Sequence, residues 1–318
     1  MVDWKKTAFV FPGQGSQTVG MGLDLTQAYV SARETFAEAD DVMGFSLSDL
    51  CFNGPQETLD DTVNTQPALY TCCVAALRSL QEELPGAVPI FAAGHSLGEL
   101  TALAAAGAFT FADGLKLVRE RGRLMKEAGT QSPGAMAALL GLDAPQVRVV
   151  CEQASEQTGG VLILANDNCP GQIVISGDEA TIEAGIKLAQ EAGAKKAIKL
   201  AVSIAAHSPL MEPASAAFRQ AILATTFHEP VLPVYGNVDA APLDNIDAIR
   251  RELDLQLTHS VRWTESVQAM IAGGIEYFIE IGPKEVLTGL LKRIDRSRTG
   301  TALNSAAAIK QFTEAHNH

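Results

Sequence analysis

Cysteine, histidine and basic residues are scarce in this chain of 318 residues. The five cysteines are an odd number without a CxxC spacing, which argues against a disulfide framework and a thiolate metal site. The six histidines include no HExxH pair, and we expect no metal. Lys and Arg number 24 against 37 Asp and Glu, and a net charge of −13 argues against nucleic acid binding.

Long hydrophobic runs are also missing. No uninterrupted apolar stretch approaches the roughly 20 residues of a membrane helix, and the first residues lack the pattern of a signal peptide. We therefore expect no membrane partner and a cytoplasmic location. What is abundant is hydrophobic residues, 47% of the chain, enough to bury a large core. The basic segment LLKRIDRSR (290–298) is either a solvated helix end or a contact for an anionic partner.

Strand-like and helix-like segments alternate, which favours the α/β class with a mostly parallel sheet. TAFVF is predicted as a strand that ends before Pro12, and PIFAAG as a second strand that leads into a helix over residues 97–106. Another helix is predicted to hold Pro67 in its first turn. A long amphipathic helix is predicted to end at Gly129.

The pattern changes between about residues 134 and 200, where the predicted order is β-α-β-β-α-β. This is the order of a ferredoxin-like unit. We predict an inserted ferredoxin-like subdomain at residues 131–202, within a large α/β-hydrolase-like catalytic domain formed by residues 1–130 and 203–318. The segments PVYGNV and EYFIEIGP are expected to complete the larger sheet.

A serine lies between two glycines at the junction of the second strand and its helix, in the sequence Gly94-His95-Ser96-Leu97-Gly98. Strand, GxSxG and helix together are typical of a nucleophile elbow, in which the glycines permit a sharp turn and the helix N-terminus receives an oxyanion. The alternative is a serine that only caps the helix.

A serine hydroxyl needs a base to become a nucleophile. His207 follows the last predicted strand of the insert and stands where the chain re-enters the large domain, a position typical of a cleft. A buried structural histidine is the alternative there, and His259 is the competing base. His95 is expected to point away from Ser96, and His228 to lie in a surface turn.

Seven segments, spread in order over nearly the whole chain, carry a family resemblance: FVFPGQGSQ, GHSLGE, RGRLM, ANDNCPGQIVISG, VSIAAHSPLM, QLTHSVRW and IEIGPKEVLTGLLKRI. Together they resemble the malonyl-CoA:acyl carrier protein transacylases of fatty acid and polyketide synthesis. Seven ordered segments are far more specific than GxSxG alone.

The resemblance implies catalytic roles for several residues. Ser96 would be the acylated nucleophile and His207 its general base and later acid. The backbone N–H groups of Gln14 and Leu97 would form the oxyanion hole. Gln256, which we group with the substrate-binding residues, would orient His207 through its backbone carbonyl.

The remaining implied roles concern the substrate. Arg121 would hold the free carboxylate of a malonyl group, and Asn166 and Asn168 would lie where the insert faces the cleft. A guanidinium also suits this task on chemical grounds, because it binds a carboxylate through two charge-assisted hydrogen bonds and is left unpaired by an acetyl group. The alternative is that Arg121 is one more helix charge beside Arg119 and Arg123.

This sequence departs from the family pattern at three places near the site. Thr258-His259-Ser260 replaces the usual Tyr-Asn-Pro, Ala206 stands where a larger residue is common, and Leu100 follows the elbow where Tyr or Phe is usual. Leu97 occupies a position at which methylmalonyl-selective relatives tend to carry Gln. The resemblance therefore favours malonyl over methylmalonyl as the acyl group of the substrate.

The predicted function is transfer of malonyl from malonyl-CoA to the phosphopantetheine thiol of acyl carrier protein through an ester on Ser96. The partners implied are malonyl-CoA and that carrier protein; we expect no cofactor and a monomer. Two other enzymatic functions remain open, a polyketide acyltransferase or hydrolase of broader acyl range and a serine carboxylesterase. A carrier-binding scaffold without chemistry is the non-enzymatic alternative.

Overall fold

A computed structural model describes residues 2–316 of the chain. Residue 1 and residues 317–318, which fall at the ends of the predicted large domain, lie outside the described residues. Two β-sheets form the framework, and helices pack around both. None of the helices within residues 2–316 combines the length and the apolar character needed to cross a membrane.

The regular elements follow one another without long gaps. The strands are β1 (Thr7–Phe11), β2 (Phe91–Gly94), β3 (Gly134–Leu140), β4 (Leu162–Cys169), β5 (Gln172–Asp178), β6 (Lys196–Lys199), β7 (Val234–Tyr235), β8 (Pro242–Leu243), β9 (Tyr277–Ile281) and β10 (Thr299–Leu303). The helices are α1 (Leu23–Ala28), α2 (Val30–Met43), α3 (Leu47–Asn53), α4 (Gln56–Asp60), α5 (Thr62–Glu83), α6 (Leu97–Ala105), α7 (Phe111–Gln131), α8 (Ala144–Thr158), α9 (Glu179–Glu191), α10 (Glu212–Ala224), α11 (Ile246–Leu255), α12 (Trp263–Ala272), α13 (Val286–Ile294) and α14 (Ala306–His316).

The larger sheet has the strand order β10-β9-β1-β2-β7-β8 and is parallel except at its β8 edge. Its centre is β1, in which Val10 pairs with Ala93 of β2 and with Glu280 of β9. Successive side chains of β1 enter different cores: Phe9 and Phe11 pack with α2, α5, α6 and α7, whereas Ala8 and Val10 pack with α12 and α13. The strand is buried on both faces, as expected for a parallel sheet covered by helices.

The smaller sheet is antiparallel, with the order β4-β5-β3-β6. Its elements follow the chain as β3-α8-β4-β5-α9-β6, which is the order predicted from the sequence. These elements have an apolar cluster of their own, which includes Leu139, Val147, Leu164, Ile175 and Ile182. A β-bridge between Asn166 and Val261 joins this sheet to the rest of the chain.

Two details of the helix predictions are wrong. Helix α5 begins at Thr62, where the Asp61 side chain accepts a hydrogen bond from Val63 N, so Pro67 lies inside the helix and not in its first turn. Gly129 does not end α7, which continues to Gln131. A Cβ at Gly129 would lie 2.3 Å from Ile204 Cγ2, so this glycine is required by close packing rather than by a left-handed cap.

Candidate active site

Three loops meet at the carboxyl edge of the larger sheet because β1, β2 and β7 are neighbouring parallel strands. Gln14 follows β1, Ser96 follows β2 and Asn237 follows β7. The first two loops touch, since a Cβ at Gly13 would lie 2.3 Å from the carbonyl oxygen of His95. This edge is where parallel α/β sheets usually bind ligands.

Ser96 stands at a sharp turn between β2 and α6. Its backbone has φ 53° and ψ −109°, a conformation that L-residues rarely adopt and that is typical of functional sites. Both glycines of the motif are required sterically: a Cβ at Gly94 would lie 1.9 Å from the Gly98 carbonyl oxygen, and one at Gly98 would lie 2.1 Å from that of Phe11. Ser96 N donates to Asn237 Oδ1 at 2.7 Å, which secures the turn.

His207 lies beside this hydroxyl. Its Nε2 is 2.8 Å from Ser96 Oγ, and its Nδ1 is 2.8 Å from the Gln256 carbonyl oxygen and 3.2 Å from that of His259. Carbonyl oxygens accept hydrogen bonds, so Nδ1 carries the proton of the neutral ring and Nε2 is left as the acceptor. This tautomer can remove the proton of Ser96.

The imidazole of His207 is held in its neutral form. The side chain is buried, and burial, reinforced by the positive charge of Arg121, lowers its pKa to about 3. The hydrogen bond from Nδ1 to Gln256 acts in the opposite direction but is the weaker influence. The base is therefore free of a proton at any pH well above that value.

We expect acylation of Ser96 to be insensitive to mild acid. Between pH 8 and about 5 the single-turnover acylation rate will stay level, whereas a histidine of pKa 6.5 would lose about thirtyfold. Rapid-quench measurements across this range, checked by far-ultraviolet circular dichroism at each pH, test the expectation. A rate that falls in proportion to the neutral fraction of an ordinary imidazole would contradict it.

Arg121 is fully buried at the other side of the hydroxyl. Its Nη1 donates to Gln66 Oε1 at 2.8 Å; its Nε and Nη2 donate to Gln256 Oε1 at 3.1 and 2.9 Å, and Nη2 also reaches Ser96 Oγ at 3.2 Å. Burial lowers the pKa of Arg121 to about 10, so the group stays charged at neutral pH. The alternative of an ordinary surface helix charge is wrong, since its neighbour Arg123 is the exposed one.

A cavity of about 200 Å³ brings the predicted residues together. Its lining is Gln14, His95, Ser96, Leu97, Arg121, Met125, Met136, Asn166, Asn168, Val174, Leu200, Val202, Ile204, Ala206 and His207. Leu97 is the first residue of α6, so its N–H has no acceptor within the helix. Gln256 was grouped with the substrate-binding residues, but it does not line the cavity. It is fully buried behind Arg121 and His207, so we assign it as a positioning residue and not as a substrate contact.

The other histidines have different surroundings. His95 lines the cavity, but its Nε2 pairs with Asn168 Oδ1 at 2.7 Å and its ring packs edge-on against Trp263. His228 is exposed. The His259 side chain is also exposed and faces the Leu255 carbonyl oxygen at 3.0 Å, so only its backbone carbonyl contacts the site. His207 is thus the histidine placed to act on Ser96.

Several residues of the site were missed by sequence reasoning. Gln66 binds Arg121, Asn237 secures Ser96, and Glu99 and Glu252 form a buried carboxyl pair next to them. Only Glu99 carried a local signal, because Ser96-x-x-Glu99 matches a capping box. The others sit in ordinary helix or loop sequence and reach the site only through the fold.

Within the part of the chain that the structure describes, no group of three or more His, Cys, Asp or Glu side chains is arranged to hold a metal ion.

The basic segment 290–298 makes contacts within the protein. Arg293 donates to Gln172 Oε1 and to the Pro170 carbonyl oxygen, both at 2.9 Å. That arginine therefore ties α13 to the smaller sheet.

A hydroxyl at a strained elbow, a neutral imidazole beside it and the Leu97 N–H at the start of α6 are suited to moving an acyl group through an ester on the protein. The fold and the site thus define an acyl-transfer enzyme. The chain belongs to the acyl transferase domain family, whose model matches residues 8–313. This membership confirms the resemblance inferred from the seven sequence segments.

Named relatives cover nearly the whole chain. The malonyl CoA-acyl carrier protein transacylase of Escherichia coli (strain K12) is 46% identical over 307 residues, which are 96% of this chain and 98% of that protein. The protein of the same name from Bacillus subtilis (strain 168) is 44% identical over 96% of this chain and 95% of its own.

Solved structures of similar proteins show the same fold. An acyl carrier protein S-malonyltransferase from Vibrio cholerae superposes with a TM-score of 0.92 at 43% identity, covering 97% of this chain and all (100%) of that one. A malonyl-transacylase in complex with a type II PKS acyl-carrier protein gives a TM-score of 0.94 at 41% identity, covering 98% and 100%.

Proposed function

We propose that this protein transfers a malonyl group from malonyl-CoA to the phosphopantetheine thiol of an acyl carrier protein, through an ester on Ser96. The names of the relatives support the donor and the acceptor, and the carrier protein in one solved complex supports the partner. The site supports the mechanism, because nucleophile, base and cation line one cavity.

The observation that carries the proposal is the charge of Arg121. Its partners in the described part of the chain are two amide oxygens and a hydroxyl, and no salt bridge of residues 2–316 includes it. A buried cation without an anion is expensive, and a substrate carboxylate would offset that cost. Gln66, Gln256 and Ser96 occupy four of the five N–H groups, which leaves one on Nη1. A bidentate carboxylate would take that group together with the Nη2 N–H that reaches Ser96 Oγ.

In the first half-reaction, His207 Nε2 takes the proton of Ser96 as the hydroxyl oxygen attacks the malonyl thioester carbonyl. The resulting oxyanion would be held by the backbone N–H groups of Gln14 and Leu97, two residues that line the cavity together with Ser96. The carbon–sulfur bond then breaks, and the protonated His207 returns its proton to the departing CoA sulfur. A malonyl ester remains on Ser96.

In the second half-reaction, the carrier thiol gives its proton to His207 and attacks the Ser96 ester. The same oxyanion contacts act again, and the proton on His207 passes to Ser96 Oγ as malonyl leaves on the carrier. The proposed steps use no metal ion or redox cofactor, since hydroxyl, imidazole and backbone amides supply nucleophile, base and oxyanion site. Arg121, Asn166 and Asn168 would hold the acyl group in a site closed to water.

The domain division is part of the same proposal. Residues 131–202 would be an inserted ferredoxin-like subdomain that roofs the cavity, and residues 1–130 with 203–318 an α/β-hydrolase-like catalytic domain. The antiparallel order of the smaller sheet and its separate apolar cluster support this division. That the protein is a cytoplasmic monomer stays a prediction.

Intact-mass spectrometry tests the function directly. After mixing with malonyl-CoA the protein will gain the mass of one malonyl group, and it will lose that mass when phosphopantetheinylated carrier protein is added. The carrier will gain what the enzyme loses. Release of free malonate without a carrier would instead indicate a hydrolase, and carrier binding without an acyl-enzyme would indicate a scaffold.

Arg121→Ala will lower malonyl transfer by about 30- to 1,000-fold, because a buried charged hydrogen-bond partner is lost. Acetyl transfer, which offers no carboxylate, will change far less. The comparison of kcat/KM for the two acyl-CoA donors checks this. Arg123→Ala is the matched control: that side chain lies on the same helix but faces solvent and pairs with Glu120 and Glu127. Equal losses for both donors would show that Arg121 does not hold the carboxylate.

A further inference from the structure

Two buried carboxyl groups that take no part in the proposed chemistry lie one contact away from it. Glu99 is fully buried and Glu252 is 3% exposed. Both accept a hydrogen bond from the same backbone group, Asn237 N, at 2.8 Å to Glu99 Oε2 and 2.7 Å to Glu252 Oε1. Glu252 Oε1 also accepts from Val238 N at 2.8 Å.

Two carboxylates that converge on one N–H group in a buried site cannot both be ionised, because like charges at this distance repel strongly. Burial raises the pKa of Glu99 well above its usual range, and the neighbouring Glu252 raises it further. Burial raises the pKa of Glu252 as well, but the hydrogen bonds that Glu252 accepts from Val238 N, from Glu99 and from Asn237 N favour its charged form. The proton therefore belongs on Glu99, and one negative charge on Glu252.

Glu99 fixes the orientation of the Gln256 amide. Gln256 Nε2 donates to Glu99 Oε1 at 3.0 Å and to the Ser96 carbonyl oxygen at 3.1 Å. With the amide nitrogen held on that side, Gln256 Oε1 must face Arg121, where it accepts from Nε and Nη2. A flipped amide would place N–H groups against the guanidinium.

Glu99 also supports the elbow through Asn237. The Asn237 side chain bridges the turn, since Oδ1 accepts from Ser96 N and Nδ2 donates to the Gly94 carbonyl oxygen at 2.8 Å. In an ordinary capping box Glu99 would itself accept from Ser96 N, and the serine hydroxyl would cap the helix. Here the Ser96 side chain makes no capping hydrogen bond, and its hydroxyl is left for His207.

We propose that Glu99 is a positioning residue whose carboxyl group, holding one proton shared with Glu252, fixes Gln256 and Asn237 and so aims Arg121 and Ser96. A neutral Glu99 adds no anion near Arg121, whose full charge remains available to a substrate carboxylate. This last step rests on the proposed malonyl transfer. The alignment of Ser96 does not, so the two can be tested apart.

The test compares Glu99→Gln with Glu99→Ala. A glutamine keeps an oxygen toward Gln256 Nε2 and an N–H toward Glu252. Its amide nitrogen cannot accept from Asn237 N as Glu99 Oε2 does, but Asn237 N keeps Glu252 Oε1 as its acceptor. Glu99→Gln will therefore label with a fluorophosphonate at Ser96 within about threefold of the wild-type rate. Glu99→Ala leaves the donors of Gln256 and Asn237 with one acceptor fewer, and its labelling will fall by about 10- to 100-fold. In the malonyl assay, Glu99→Ala will also raise KM for malonyl-CoA more than for acetyl-CoA.

A general effect of removing a buried glutamate is controlled by Glu280→Gln. Glu280 is equally buried, accepts from Leu287 N and Thr288 N, and lies outside the cavity lining. This variant will label at the wild-type rate even if its Tm falls. A labelling loss as large in Glu280→Gln as in Glu99→Ala, or one as large in Glu99→Gln, would overturn the proposal.

A second measurement does not depend on the folding of Glu99→Ala. In protein carrying ¹³C at glutamate Cδ, the NMR signal that disappears in Glu99→Gln identifies Glu99. At neutral pH it will have the chemical shift of a carboxylic acid, whereas a carboxylate shift would overturn the shared proton. Fluorophosphonate labelling needs no malonyl group. A failure of the wild-type protein to accept malonyl would therefore contradict the proposed function but would leave the labelling comparison valid.

Discussion

Ser96→Ala will abolish the covalent malonyl-enzyme and lower carrier malonylation by about 10⁴-fold or more, because no other hydroxyl lies at the elbow to attack the thioester. The substitution removes one oxygen atom, which contacts His207 Nε2 and Arg121 Nη2. The strained backbone of this residue is fixed by Asn237 and by the packing of the glycines, so the fold will remain.

The measurement is the intact mass after exposure to malonyl-CoA, together with the rate of carrier malonylation. Ser305→Ala is a suitable control, since that hydroxyl accepts from Ala308 N at the start of α14 and is not part of the cavity lining. It will be malonylated normally. A malonyl adduct of normal yield on Ser96→Ala would mean that the nucleophile is a different residue.

His207→Ala will lower the rate of Ser96 acylation by about 10²- to 10⁴-fold, the range associated with loss of a positioned general base. The carbonyl groups of Gln256 and His259 hold His207 with Nε2 toward the hydroxyl. Removal of the ring leaves that hydroxyl with no group to take its proton. Single-turnover acylation, followed by rapid quench and mass spectrometry, measures the effect.

The exposed His228 provides the control, and His228→Ala will acylate at the wild-type rate. His259→Ala separates the two candidate bases, because this substitution removes the imidazole but keeps the carbonyl oxygen that His207 contacts. A large loss in His259→Ala, combined with an active His207→Ala, would assign the base to His259.

The elbow could be predicted from sequence because its determinants are local. Gly94 and Gly98 are spaced around Ser96 as a sharp strand-to-helix turn requires, and apolar segments on both sides define the strand and the helix. The order of elements in the smaller sheet followed from their hydrophobic periodicity for the same reason. The resemblance to the family predicted that His207 and Arg121 act on the same substrate as Ser96, and both residues line the cavity with it.

The polar network behind Arg121 could not be predicted, because it depends on contacts between distant segments. Gln66 is an ordinary amide next to Pro67, and the expectation that Pro67 lies in the first turn placed the start of α5 at Gln66, four residues after its actual start at Thr62. Glu252 faces inward from α11 beside exposed charges and has no local mark of its buried position. Gly129 was misjudged for a similar reason, since the segment that packs against it, Ser203–Ile204, belongs to a remote loop.

The three strands whose carboxyl ends carry Gln14, Ser96 and Asn237 are neighbours in the sheet but far apart along the chain. Strand β7 is synthesised long after β1 and β2, and it brings the amide that secures the elbow. Such non-local pairing forms late in folding. During refolding, the reactivity of Ser96 toward acylation will therefore return later than the far-ultraviolet circular dichroism of the helices. The return of enzyme activity will report that the central sheet is complete.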